Sequence, residues 1–74
     1  MPKTPLSILG NNVRKIRLEN KISQEKLAEI CGLHRTYIGG IERGERNVSL
    51  LNLLKISHGL NIPLHRLIDG IDDR

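Results

Sequence analysis

The segment 23–46, SQEKLAEICGLHRTYIGGIERGER, constrains the fold of this chain more than any other stretch. Ser23 is a favourable N-cap residue, and Gly32 suits the left-handed conformation that ends a helix sharply. A second helix is expected to begin near residue 34 or 35 and to end just before Gly44. Two short helices joined by a glycine-containing turn form a helix-turn-helix arrangement, which the sequence predicts at about residues 23–43.

Further helices are predicted on both sides of this segment. Before it, Leu9, Val13 and Ile16 recur at spacings of four and three residues, which is one face of a helix that runs to about residue 20. After it, Ser49 can cap a helix from residue 50 to about 58, and residues 63–68 form a last short helix. Because no strand alternation is seen, the five helices predict a single all-α domain over residues 1–74.

The predicted fourth helix carries more apolar residues than one buried face can hold. They cover an arc of about 220°, against roughly 100° for a helix packed on one side only. The surplus predicts a homodimer with its dimerisation elements at about residues 50–71. The predicted interface residues are Leu54, Leu64, Leu67, Ile68 and Ile71. The alternative is that these residues only close a small core.

Charge and aromatic content bear on the partner. The 12 Lys and Arg residues exceed the 8 Asp and Glu residues, which gives a net charge of +4. A basic domain suits a polyanionic partner, either nucleic acid or an anionic membrane surface, although some soluble proteins are merely basic. Tyr37 is the only aromatic residue, and this counts against single-strand or RNA binding by base stacking.

Several other function classes are disfavoured. The single cysteine, Cys31, cannot form an internal disulfide, and we expect it to be a small buried apolar residue. No apolar run approaches the roughly 18 residues that span a bilayer, so a cytoplasmic protein is expected, with no membrane partner. The three histidines show no metal-ligand spacing, and neither paired carboxylates nor a phosphate-binding loop occurs. We therefore expect no enzyme activity, no cofactor and no metal.

The central segment resembles the Cro/C1-type (XRE) helix-turn-helix regulators over roughly residues 8–70. The resemblance rests on a joint pattern of Gln24, Leu27-Ala28, Gly32, Ile38 and Ile41, Glu42-Arg43-Gly44, and Ser49-Leu50. The run RTYI, then GIER, then RN is also similar to the controller proteins of bacterial restriction–modification systems. The resemblance implies a five-helix, lambda-repressor-like DNA-binding domain from a bacterium or phage.

The resemblance also implies roles for particular residues. Arg35 and Thr36 are expected to contact bases, because the first residues of the second motif helix reach base edges and an arginine can bind guanine bidentately. The expected contacts to the DNA backbone come from Gln24, His34, Tyr37, Gly39, Arg43, Arg46 and Asn47. His34 could instead merely cap its helix, and Tyr37 could be half-buried core. Arg17 and Glu42 are implied to form a structural ion pair.

The pair Gly39-Gly40 departs from the family pattern. Together these glycines cost about 2 kcal/mol of helix propensity relative to alanine. Many family members carry side chains here that reach DNA. Their absence predicts fewer direct base contacts, a closer approach of the helix backbone to DNA, and more dependence on Arg35 and on DNA shape.

These features together predict a homodimeric, sequence-specific regulator of transcription that binds double-stranded DNA. Each subunit would insert one helix into a major groove of a palindromic operator. Restriction–modification genes and the protein's own promoter are the expected targets, and RNA polymerase is a further candidate partner. The alternatives are a phage or chromosomal repressor and an antitoxin-like protein-interaction module with the same fold.

Overall fold

The computed structural model describes residues 4–71, and this part of the chain contains helices and turns but no strand. Four α-helices and one 3-10 turn follow one another: α1 is Pro5–Glu19, α2 is Gln24–Cys31, α3 is Arg35–Glu42, α4 is Leu50–Gly59, and the 3-10 turn is Leu64–Arg66. The all-α prediction is confirmed. The predicted domain bounds, 1–74, include residues at both ends that lie outside the described range.

Three of the four α-helices begin at a side-chain cap. The hydroxyl of Thr4 accepts a hydrogen bond from the Ser7 N–H at 3.1 Å, and Pro5 stands in the first turn, where its missing N–H costs nothing. The hydroxyls of Ser23 and Ser49 cap α2 and α4 in the same way. Because each cap precedes an apolar periodic stretch, the sequence locates these helix starts well.

All four α-helices end in the same way. After each helix one residue has a positive φ: Lys21 (58°), Gly32 (71°), Gly44 (76°) and Asn61 (57°). The next N–H then donates back to the carbonyl five residues earlier: Ile22 to Arg17, Leu33 to Ala28, Glu45 to Gly40, and Ile62 to Ser57. This is the Schellman motif, which satisfies the free carbonyls of the last turn and reverses the chain. Each α-helix therefore ends in a sharp turn that is closed by a backbone hydrogen bond.

The core lies between the four helices and the C-terminal turn. Its buried apolar residues are Leu9, Val13, Ile16, Leu27, Ala28, Cys31, Ile38, Ile41, Val48, Ile56, Leu60 and Leu67. Helix α1 crosses α3 closely at Gly10, where an added Cβ would overlap the carbonyl oxygen of Ile41 and lie 2.8 Å from that of Glu42. This close crossing fixes the position of the end of α3 against α1.

The predicted fifth helix is only the 3-10 turn Leu64–Arg66. The Nδ2 of Asn12 on α1 donates to the carbonyl oxygens of Leu67 and Asp69, at 2.8 Å each. These carbonyls would be needed to continue an α-helix, and Gly70 adopts a φ of 87° soon afterwards. The predicted last short helix over residues 63–68 is therefore only this 3-10 turn, and the count of five helices is not confirmed.

None of the helices in residues 4–71 combines the length and apolar character needed to cross a bilayer.

Candidate nucleic-acid interface

Helix α3 has one buried and one open side. Ile38 and Ile41 are almost fully buried and anchor the helix in the core. Arg35 and Thr36, the first two residues of α3, are exposed. His34 occupies the N-cap position, but its side chain makes no capping hydrogen bond. The residues expected to read bases are thus at the surface on a helix that the core holds rigidly.

A buried ion pair fixes the C-terminal end of α3. The Nε and Nη2 of Arg17 donate to the two carboxylate oxygens of Glu42, at 2.7 and 3.1 Å. Arg17 also donates from Nη1 to the carbonyl oxygen of Ile22 at 2.9 Å. The side chains are only 9% and 3% exposed, so water hardly screens the pair. This contact links α1 and the connection to α2 with the last residue of α3.

Gln24 joins the same network from the start of α2. Its Nε2 donates to Glu42 Oε1 at 3.0 Å, so the first helix of the motif is bonded directly to the second. An amide nitrogen carries two hydrogens, and this bond uses one of them. Gln24 therefore braces α3 and keeps one donor for a further acceptor.

Tyr37 is half-buried, and its ring packs against the core. Its hydroxyl accepts a hydrogen bond from Nδ2 of Asn52 on α4 at 3.2 Å. Because the phenol oxygen is the acceptor in this bond, its own hydrogen remains available as a donor. The two alternatives for Tyr37 are thus compatible: the ring belongs to the core, and the hydroxyl can still contact a phosphate.

Three charged or polar residues lie just after α3 in the chain, and all of them are exposed: Arg43, Arg46 and Asn47. Arg43 Nε forms an ion pair with Glu45 Oε2 at 3.1 Å, and both side chains are more than half exposed. The guanidinium carbon of Arg46 lies 6.0 Å from the centre of the Tyr37 ring. Of these two arginines, Arg43 has an acidic partner among the described contacts and Arg46 has none.

The two glycines of α3 are covered rather than bare. Both glycines are already buried by other residues of the same chain. A Cβ at Gly39 would lie 3.2 Å from Arg43 Nη1, and one at Gly40 would lie 2.9 Å from Arg46 Cγ. Arginine side chains therefore occupy the space beside both glycines, and the expected close approach of the helix backbone to DNA, at Gly39 included, stays a prediction that requires these side chains to move.

The predicted dimer interface is only partly at the surface. Ile68 is exposed, whereas Leu54, Leu64 and Ile71 are half-buried. Leu67 is fully buried in the core of the single chain, so its side chain cannot contact a partner. The hydrogen bonds from Asn12 hold the backbone there and turn Leu67 inward.

Two exposed residues of α4 were missed by that prediction. Leu50 is 61% exposed and Leu51 is 70% exposed. With Leu54 they span an arc of about 100° on α4, and the buried Ile56 points to the opposite side. The sequence did contain an indication of this face, because α4 has more apolar residues than one buried side can hold. These extra apolar residues lie at the start of the helix as well as towards the C-terminus.

The one cysteine, Cys31, is free and buried. Burial raises the pKa of the Cys31 thiol, which favours its protonated form. Within residues 4–71 no three His, Cys, Asp or Glu side chains are grouped as metal ligands.

Residues 13–67 match the helix-turn-helix family model. The chain is 54% identical over 61 residues to control protein C.SmaI of Serratia marcescens, covering 82% of this chain and 73% of that protein. It is 56% identical over 63 residues to control protein C.BamHI of Bacillus amyloliquefaciens, covering 84% of this chain and 78% of that protein.

The fold agrees with a crystal structure of the restriction–modification controller protein C.AhdI from Aeromonas hydrophila. The TM-score is 0.83 at 47% identity, and the match covers 84% of this chain and 94% of that one. The resemblance found in the sequence is thereby confirmed. The chain belongs to the helix-turn-helix family of XRE-type, DNA-binding transcription regulators, which are not enzymes, and its relatives include restriction–modification controller proteins.

Proposed function

We propose that this protein is a cytoplasmic, homodimeric regulator that binds a palindromic operator and controls restriction–modification genes together with its own promoter. The observation that carries the proposal is the open side of α3. Arg35, Thr36 and Arg46 are exposed there, while the one acidic residue of α3, Glu42, is turned into the core. A rigid helix with its cations outward and its carboxylate inward suits a polyanion.

In the proposed complex, Arg35 and Thr36 read base edges in the major groove. Guanine O6 and N7 are suitable acceptors for Arg35, and a thymine methyl group is a suitable contact for Thr36. Phosphate contacts come from Gln24, His34, Tyr37, Arg46 and Asn47, with a smaller share from Arg43. Gln24 and Tyr37 each keep one free donor while their other polar contact holds the fold, which supports their place in this set.

The apolar face of α4 supports the dimer. Leu50 and Leu51 are largely exposed, and Leu54 lies between them on the same side of the helix. We assign the interface to these three leucines and to Ile68. A two-fold dimer places two copies of α3 about one turn of B-DNA apart, which matches an inverted repeat.

The names of the relatives support the proposal that this protein controls restriction–modification genes. Control proteins C.SmaI, C.BamHI and C.MunI share 50–56% identity with this chain over most of its length. In this proposal the extent of regulation follows the protein concentration through the dimerisation equilibrium.

The salt dependence of duplex binding tests the proposal. With duplexes of about 30 base pairs, a dimer that contacts about 8–10 phosphates predicts a slope of log K against log salt near −7 to −9. A single-stranded oligonucleotide of the same length is the control, and it should bind more weakly because aromatic platforms for base stacking are missing. A folded protein that fails to bind any duplex would support a protein-interaction module instead.

A further inference from the structure

Arg46 is folded back onto the recognition helix rather than projecting freely from the loop. The Schellman motif after α3 has Gly44 in the left-handed conformation, and the Glu45 N–H donates to the carbonyl oxygen of Gly40 at 2.9 Å. This turn returns the chain over the helix that it has just left. As a result, Arg46 Cγ, Nε and Cδ all lie within 3.6 Å of the position that a Cβ of Gly40 would occupy.

The guanidinium then continues along α3 towards its N-terminal half. Tyr37 and Gly40 are three residues apart and share one side of the helix. The guanidinium carbon of Arg46 is 6.0 Å from the centre of the Tyr37 ring, within the range of a cation–π contact. The side chain thus passes over Gly40 and ends beside Tyr37, one turn nearer to Arg35 and Thr36.

We infer that Gly40 is a positioning residue: the absence of its side chain forms a seat, made of the Gly40 backbone and the Tyr37 ring, that aims Arg46 at DNA. This inference rests on the proposed function for its DNA-binding consequence only. The conformation of Arg46 in the free protein is independent of that function.

A side chain at position 40 would displace Arg46, because it would overlap the part of the Arg46 side chain nearest to the backbone. The nearest atom, Cγ at 2.9 Å, is one bond beyond the Cβ of Arg46, so the conflict cannot be relieved by moving the far end of the side chain. The χ1 rotamer must change, and the guanidinium leaves Tyr37. At Gly39 the nearest atom is the terminal Nη1 of Arg43 at 3.2 Å, which can move away freely.

Glycine at position 40 therefore lowers the stability of the helix, and the helical backbone there does not require a glycine. Alanine is a better helix former than glycine in the interior of a helix, and the backbone of Gly40 is helical. We expect Gly40→Ala to leave the melting temperature unchanged or to raise it while DNA binding weakens. Opposite directions for stability and binding separate a positioning role from a structural one.

The decisive experiment combines Gly40→Ala, Arg46→Ala and the double variant in a thermodynamic cycle, with a duplex at fixed salt. Gly40→Ala is expected to weaken binding about tenfold, because a charge-assisted contact of Arg46 to phosphate is weakened in each subunit. In the Arg46→Ala background the same change is expected to have no further effect. An equal loss in both backgrounds would overturn the inference, because the new methyl group would then act on DNA directly.

A second measurement needs no DNA. In nuclear magnetic resonance spectra of the free protein, contacts between the Gly40 Hα and the Arg46 Hγ and Hδ protons are expected, and Gly40→Ala should shift the Arg46 Hε resonance. Gly39→Ala is the matched substitution and should leave that resonance in place. If these contacts are missing in the unchanged protein, the seat does not exist. If they are present but no duplex binds, the proposed function fails while the seat stands.

Discussion

Helices α3 and α4 are of similar length, and each buries one side, but their open sides differ in chemistry. The open side of α3 and the loop after it present Arg35, Thr36 and Arg46. The open side of α4 presents Leu50 and Leu51. The first surface suits an anionic partner, whereas the second suits an apolar one, because exposed leucines gain most from removal from water.

The buried sides differ as well. Helix α3 is bonded through Glu42 to Arg17 on α1 and to Gln24 on α2. The only buried polar side chain of α4 is Ser57, which bonds to the Leu54 carbonyl of its own helix. The helix proposed to read DNA is thus oriented by a buried ion pair, whereas the helix proposed to dimerise is held mainly by apolar packing, with one half-buried bond from Asn52 to Tyr37. Precise orientation matters more for reading base edges than for packing leucines.

The largest expected effect is on the anchor of α3. Glu42→Ala leaves Arg17 buried without its carboxylate and is expected to lower the free energy of unfolding by about 3–5 kcal/mol. Urea denaturation followed by circular dichroism measures this loss. Glu45→Ala is the matched control, because its exposed pair with Arg43 is worth about 0–1 kcal/mol. Similar losses for the two variants would remove the distinction between the buried anchor and a surface ion pair.

The next effect concerns the open side of α4. Leu51→Lys is expected to shift the protein to monomers without loss of folding, because burying one leucine in an interface contributes about 1.5–3 kcal/mol. Sedimentation velocity at several concentrations measures the dissociation constant. Leu18→Lys on α1 changes another exposed leucine and should leave the dimer intact. An unchanged dimer for Leu51→Lys would refute the assigned interface.

A similar effect is expected for base recognition by α3. Arg35→Ala should cost about 1–3 kcal/mol on the preferred sequence and much less on random DNA. Competition binding with the two kinds of duplex measures this difference. Arg46→Ala is expected to weaken binding to both kinds of duplex alike. Equal losses on operator and random DNA for Arg35→Ala would show that Arg35 only contributes charge.

The smallest effect separates the two arginines at the end of α3. Arg43→Ala is expected to weaken duplex binding less than Arg46→Ala, because Arg43 must give up its ion pair with Glu45 to bind phosphate. Because the dimer carries two copies of each arginine, the salt slope should fall by about two for Arg46→Ala and by less for Arg43→Ala. The reverse order would mean that the ion pair with Glu45 does not persist on DNA.

The sequence predicts the helices well because their ends are marked locally. Ser23 and Ser49 cap α2 and α4 as predicted, Thr4 caps α1 in the same way, and Gly32 and Gly44 end two helices. Local residues are sufficient there, since a cap or a left-handed glycine acts within one helical turn. The last turn is different, because the bonds from Asn12 that shape it come from the other end of the chain.

Side-chain positions in the site were predicted less completely. Ile30 is an apolar residue of α2 close to the buried Ala28, yet it is 48% exposed. Residues 28 and 30 are about 200° apart on a helix, so they cannot share one face. The covering of Gly40 by Arg46 depends on the path of the chain after a turn. Sequence spacing does not encode such a path, although the paired glycines were a signal that something lies against them.

Selection of bound duplexes from a random pool, followed by sequencing, tests the central claim most directly. The account predicts an inverted pair of half-sites that contain guanine, with centres about 10 base pairs or a whole multiple of one turn apart. The guanine should lose its enrichment when the selection is repeated with Arg35→Ala. Absence of any enriched motif, from a protein that is folded and helical, would contradict the claim that this chain reads DNA sequence.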